Sequence, residues 1–525
     1  MNSTALWYTQ FVADKEIMKV TEYLEMAVLV GALVFKCSNL LVDAQYFDQL
    51  LLMVGYLFVC TLCLAILSRC CENKMRHTRQ QVGGSIYAWL IPMANLEQLV
   101  HTPVSCSSWS TLYGLVVMDQ IQIFAILVMA LWSKMSWPPS VLPLLLFLLG
   151  TLRIGSATQL GMAEQLTTAA SYAIFLWLLC NLFHKFPQTF SFGEGVIICQ
   201  ATSQIFSYLL QWLMSTGSIS KVEEPPYDFI SAILTTSLTI AAVVYILLPT
   251  GCGKSAYYLV SCLGITAALI ISSITGHVQR IVADILSSSA MVALIIWWMA
   301  TVAAALVTVM LYNTRDWKVT TVDRKYFHIM AIMIFLPGIF FAPHLTRLAS
   351  VVAMLLFLAL EFVRFMSLPY LGLKLNSWLT PFLDGRQDSG SLILTHIYLL
   401  SGCALPLWLT TSSQLQGQNL SLFAGIISLG VGDSCASLFG SRFGRLAYPG
   451  SKKTLEGTLA AWLSMFIFSC GIALPSDYGT GRLSWMLLLV AVLESCTLQV
   501  DNLVLPLYTY VLLSGSHIET APVNT

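Results

Sequence analysis

The chain has 525 residues, of which 57% are hydrophobic and only 10% charged, with 26 basic and 26 acidic side chains. A soluble protein carries roughly 25% charged residues, so bilayer rather than water must be the solvent for much of this chain. Zero net charge gives no pointer to a nucleic-acid partner, and the fourteen cysteines, mostly inside apolar runs, read as small buried hydrophobes rather than a disulfide framework.

Taken in chain order, the first 25 residues contain Asp14, Lys15, Glu16, Lys19, Glu22 and Glu25, which interrupt any signal-peptide apolar core. The first membrane helix is then expected to act as the targeting signal. Clear apolar stretches follow at 47–68, 110–132, 167–183, 194–215, 228–248, 256–275, 288–312, 345–365, 390–410, 420–440, 457–474 and 484–512. Weaker ones lie at 24–42, 84–100, 138–157 and 327–342. At about 20 residues per crossing, the expected fold is all-α: a polytopic transmembrane helical bundle of about 16 spans. The last stretch is broken by Glu494, Asp501 and Pro506 and reads as one span or two.

Sorting the loops by side puts roughly 20 basic residues on one face and roughly 5 on the other. The rich side is expected to be cytosolic and to hold both termini. Asn419 opens an Asn-Leu-Ser sequon on the opposite side. Residues 1–310 have short loops and few ionisable groups, as expected of a scaffold or lipid-binding region. Residues 311–525 crowd polar groups at the cytosolic ends of helices, where chemistry is expected.

Leu248–Ser255 reads LPTGCGKS, which resembles the end of a nucleotide-binding P-loop. Leu248 stands where the first glycine of that pattern belongs, and apolar stretches flank the loop with no room for a sheet. It reads as a turn with Lys254 at the cytosolic face.

Four polar clusters remain. In VDRKYFH, Arg324, Lys325 and His328 stand at a helix start, either as a basic flank or as a cationic arm for phosphate. Glu361 and Arg364 share a helix face and can pair; a polar loop with Asp384, Arg386 and Asp388 follows, then His396 about two turns into the next helix. The third cluster is the sharpest: GVGDSCASLFGSRFGRLAYPGSKKTLEGT. Asp433 sits in an apolar helix, where a carboxylate needs a partner such as Mg²⁺ or another divalent cation. Gly450 and Ser451 permit close backbone approach, Lys452 and Lys453 neutralise polyphosphate, and Thr454 caps the helix that begins there. In the fourth, Glu494 and Asp501 are two helical turns apart on one face, and Asp501 with Asp433 would make a carboxylate pair for the cation. Asp119 is an isolated intramembrane acid with no partner evident in the sequence.

Together RKYFH, LEFVRF, LDGRQDSGSLILTHIYLL, GVGDSCASLFGSRFG, YPGSKKTLEGT and LQVDNLVLPLY resemble the dolichol kinase family, in its order, across about 322–512. FGEGVII at 192–198 is similar to a further family segment. The resemblance implies a multi-pass endoplasmic-reticulum enzyme whose active site faces the cytosol and which transfers the γ-phosphate of CTP to dolichol, giving dolichyl phosphate for protein glycosylation. It implies that the CTP-binding stretch runs from Ser441 to Glu456, through Arg442, Gly444, Arg445, Pro449, Gly450, Ser451, Lys452, Lys453 and Thr454. In this reading Asp433 and Asp501, with Glu456, hold the cation, and Arg324 and Lys325 stabilise the transferring group. Asp384, Asp388 and His396 are the candidate bases. The alternatives are another CTP-dependent lipid kinase or a cytidylyltransferase acting on diacylglycerol or phytol, and, in a different class, a secondary transporter.

Overall fold

The computed structural model describes residues 24–36, 54–59, 84–101, 109–132, 141–155, 160–186, 188–215, 227, 230–231, 234, 264, 267, 276–315, 321–365, 370–383, 392–410, 415, 419–448, 451, 453–472, 479–497 and 501–514. The main helices are α1 (Leu90–His101), α2 (Trp109–Trp132), α3 (Val141–Gly155), α4 (Met162–Lys185), α5 (Phe192–Ser215), α6 (His277–Ser287), α7 (Ser289–Thr314) and α8 (Tyr326–Phe341). They continue with α9 (Pro343–Phe365), α10 (Leu371–Leu379), α11 (Thr395–Leu409), α12 (Ser434–Phe443), α13 (Leu455–Ile472), α14 (Thr480–Cys496) and α15 (Asp501–Leu513). Among the described residues the only extended pairing is an isolated bridge between Ala447 and Thr454, so the fold is all-α. Five helices there are long and apolar enough to cross a membrane: 112–129, 162–183, 289–314, 343–365 and 455–472. The stretch 248–255 and most of 228–275 lie outside the described residues.

Prolines inside helices explain how the bundle is locked together. Proline lacks the N–H that would bond four residues back, and in lipid the freed carbonyl must find another donor or sit where its neighbours tolerate it. Pro337 in α8 frees the Met333 carbonyl, and Trp297 Nε1 of α7 donates to it at 2.7 Å. Next to it, Trp298 Nε1 donates to the Ile334 carbonyl at 2.9 Å. Pro406 in α11 and Pro506 in α15 free the carbonyls of Gly402 and Asn502. Glycines fit against both: a Cβ on Gly425 would lie 2.5 Å from Gly402 O, and one on Gly402 would lie 2.2 Å from Asn502 O. Small residues of this kind let membrane helices approach backbone to backbone. Gly402→Ala should therefore force α11 and α15 apart, costing about 1–3 kcal/mol, read as a lowered thermal midpoint of the purified protein in detergent.

One contiguous hydrophobic core takes side chains from Val28 through Leu513, and α15 lies at its centre with every residue from Asn502 to Leu513 buried. The stretch 484–512 is two helices rather than one. Helix α14 ends at Cys496 and α15 starts at Asp501, so Glu494 and Asp501 do not share a helical face. The two run antiparallel, because Arg482 at the start of α14 and Ser514 at the end of α15 both lie near Lys36. Ser514 therefore lies at the end of the α14–α15 pair opposite Glu494 and Asp501.

Asp119 does have partners: it accepts from Asn95 Nδ2 at 2.6 Å and from Gln204 Nε2 at 3.5 Å, donors on α1 and α5 that the sequence alone could not bring to it. The segment 192–198 opens α5 with a capping box. Ser191 N donates to Glu194 Oε2 at 3.2 Å and Glu194 N to Ser191 Oγ at 3.3 Å, while Tyr398 of α11 donates to the same carboxylate at 3.2 Å. Arg347, at the start of α9, donates to the Leu407 carbonyl at 2.9 Å and to the Thr410 carbonyl, closing the end of α11.

Candidate active site

The chain reaches Asp433 through Ile426–Asp433, eight residues wound in wide π-type turns before α12 resumes the ordinary pitch. Such turns are rare and recur at functional sites. Asp433 is buried. Lys325, at the start of α8, donates to Asp433 Oδ2, and His328 Nε2 lies 3.2 Å from the same oxygen. His328 Nε2 is also 3.2 Å from Asn502 Oδ1, in the first turn of α15. Three separate stretches thus meet around His328. In the structure the partners of Asp433 are Lys325 and His328.

The loop after α12 folds as a short hairpin. Tyr448 N donates to Lys453 O at 2.9 Å, Leu455 N to Leu446 O at 2.9 Å and Ser451 N to Tyr448 O at 3.0 Å. Ser451 Oγ accepts from Lys453 N at 3.1 Å. Thr454 Oγ1 accepts from Gly457 N at 3.2 Å, satisfying one of the unpaired donors at the start of α13. Lys453 turns inward: its ammonium lies 3.0 Å from Glu494 Oε1 and donates to the Glu494 carbonyl at the end of α14. A cation there suits the negative end of the helix dipole. Lys453 also feels the charges of Asp501 and Asp433, so both aspartates stand within electrostatic range of one ammonium.

The remaining expected residues are distributed as follows. Ser441, Arg442, Gly444 and Arg445 are exposed at the end of α12 and in the strand-like arm that follows. Glu456 accepts from Leu446 N at 3.1 and 3.2 Å through its two oxygens, so it closes the hairpin. Arg324 ends the short helix Thr321–Arg324 beside Lys325. His396 is in the first turn of α11, not two turns in, and its ring meets Phe357 edge-on at 5.3 Å between centroids. Glu361 and Arg364 pair as their spacing predicts, at 2.6 and 2.8 Å, and Glu361 Oε1 also accepts from Ile393 N at 2.6 Å. That pair anchors the chain leading into α11. Asp384, Asp388, Pro449, Gly450 and Lys452 lie outside the described residues.

Among the described residues no three His, Cys, Asp or Glu side chains form a cation cage. Mg²⁺ does not ask for one: it is commonly held by one or two carboxylates together with substrate phosphates and water. Asp433 uses only Oδ2 towards Lys325 and His328, which leaves Oδ1 for a cation, and Asp501 is half-buried nearby. Those two oxygen donors fit a hard divalent cation, while both oxygens of Glu456 accept from the hairpin backbone. Sequence reasoning missed Glu494 as the partner of Lys453 and Asn502 as the partner of His328. The lone buried acid at Glu494 was the available signal, but nothing in sequence spacing links it to a lysine across 41 residues.

The fold and this cluster define a class: an integral helical membrane protein with a charged site recessed among its helices. The family model for dolichol kinase matches residues 113–447. Dolichol kinase of Mus musculus is 30% identical over 389 residues, covering 68% of this chain and 71% of its own. That of Homo sapiens is 30% identical over 391 residues, covering 68% and 70%. Dolichol kinase EVAN of Arabidopsis thaliana is 42% identical over 199 residues, covering 36% and 34%. No solved structure matches the chain. The chain belongs to the dolichol kinase family.

Proposed function

We propose that this protein transfers the γ-phosphate of CTP to the hydroxyl of dolichol in the endoplasmic-reticulum membrane, at a site facing the cytosol. Family membership makes it a kinase acting on a lipid alcohol with a nucleotide phosphate donor. CTP, the divalent cation and the residue roles are the reading proposed here. The observation that carries it is the convergence of Asp433, Lys325 and His328 with Lys453, Glu494 and Asp501 at one end of the bundle.

Phosphoryl transfer needs positioning and charge neutralisation more than covalent help. Lys453, with Lys452, Gly450 and Ser451 and the backbone N–H groups opening α13, binds the phosphates of CTP; Arg442 and Arg445 approach from the exposed side. Asp433 and Asp501 hold the cation, which supplies positive charge to the phosphate oxygens when bound. Lys325 fixes Asp433 and, with Arg324, faces the transferring group. The dolichol oxygen bonds to the γ-phosphorus, the bond to the β–γ bridging oxygen breaks, CDP leaves, and the hydroxyl proton passes to a base. Asp384, Asp388 and His396 are the candidate bases by their chemistry. Residues 311–525 carry the chemistry, and 1–310 scaffold it.

Purified protein in nanodiscs, given CTP labelled at the γ-phosphate and a polyprenol, should yield labelled polyprenyl phosphate and CDP. Release of pyrophosphate would instead indicate a cytidylyltransferase. Preference for diacylglycerol or phytol would indicate a different lipid kinase, and ion-driven uptake without transfer would indicate a transporter.

A further inference from the structure

The helix at 24–36 makes a buried polar contact with the catalytic end of the chain at each of its two ends. At the far end, Lys36 Nζ lies 2.7 Å from Glu97 Oε1 and donates to the Ser514 carbonyl, while Ser514 Oγ donates to Glu97. Arg482 stacks over Phe35 at 5.7 Å beside them. At the near end, Thr497 Oγ1 donates to Glu25 Oε1 at 3.0 Å, Tyr87 OH donates to the same oxygen, and Tyr87 OH lies 2.9 Å from Thr497 Oγ1. Glu25, Lys36 and Glu97 are each under 5% exposed, although they sit in apolar surroundings.

Buried charges are poor stabilisers, because desolvation offsets much of their attraction. Their best attested use is to fix register. The near contact sits where register matters. Thr497 stands in the break between α14 and α15, directly after the helix end whose Glu494 carboxylate and carbonyl grip Lys453, and just before Asp501. We propose that Glu25 and Tyr87 are positioning residues for phosphoryl transfer: through Thr497 they set the α14–α15 break, and with it Glu494, Lys453 and Asp501. The Lys36–Glu97–Ser514 contact is the anchor that holds the same helix at the opposite side of the bundle.

The inference rests on the Asp433–Lys453 cluster being the transfer site, so Asp433→Asn is assayed alongside. The two contacts hold one helix but only one adjoins the site, which gives the test its contrast. In full-length protein in nanodiscs, Glu25→Gln and the milder Tyr87→Phe should lower kcat about tenfold or more, raise KM for CTP and leave KM for polyprenol unchanged. Lys36→Met with Glu97→Met, which removes a pair without stranding a charge, should shift the thermal midpoint and leave kcat within twofold. Equal losses of kcat at both contacts, or Tyr87→Phe with unchanged kcat and KM for CTP, would overturn the proposal. Full activity in Asp433→Asn would instead overturn the site reading on which it rests.

Discussion

Asp433→Asn should cut transfer of labelled phosphate from CTP to polyprenol by about a thousandfold. The substitution keeps the shape of the side chain and removes its charge. It leaves one oxygen in place of two, so the side chain can no longer both accept from Lys325 and ligate a cation, and the Lys325 ammonium, at 17% exposure, loses its counter-ion. Breaking a buried pair from one side costs about 3–5 kcal/mol, so some loss of folded protein is expected as well. The two effects separate in the double variant Asp433→Asn with Lys325→Met. Removing both charges should return the thermal midpoint towards that of the parent and leave transfer abolished. Recovery of activity in the double variant would mean that Asp433 serves only to neutralise Lys325.

The sequence made that experiment visible because a carboxylate inside an apolar run is costly unless something offsets it. The same logic flagged Glu361 and Asp119. For Glu361 the partner was local, at the next helical turn, and Arg364 takes it as spacing predicts. The cap at Thr454 was equally local and is made. For Asp119 and Glu494 the partners come from distant stretches, 24 and 41 residues away at the nearest, and periodicity contains no information about them. Bundle membership of the main helices was legible from apolar length alone. Their interruptions were not: the break before Asp501 was only half visible in Asp501 and Pro506, and the π-type turns before Asp433 not at all. Both depend on what α11 and α13 press against. Gly402 against the Asn502 carbonyl illustrates this, since a glycine in an apolar run reads as any small residue until a second backbone is set beside it.

Lys453→Met should lower kcat/KM for CTP by about a hundredfold or more, with a smaller effect on KM for polyprenol. Two roles compete for this side chain. In one, its ammonium neutralises triphosphate; in the other, it ties the start of α13 to the end of α14 through Glu494. The roles differ in what the partner does to them. If Lys453 is a tie, its loss is harmful mainly because Glu494 is left buried and unpaired, and Lys453→Met with Glu494→Met should restore both stability and turnover. If Lys453 neutralises phosphate, the double variant should regain stability and stay inactive, because no second positive charge takes its place. Lys453→Arg sharpens the distinction. A guanidinium can still pair with Glu494, but it is a planar fork rather than a compact point charge, so it should keep the helices joined and recover only part of the turnover with CTP.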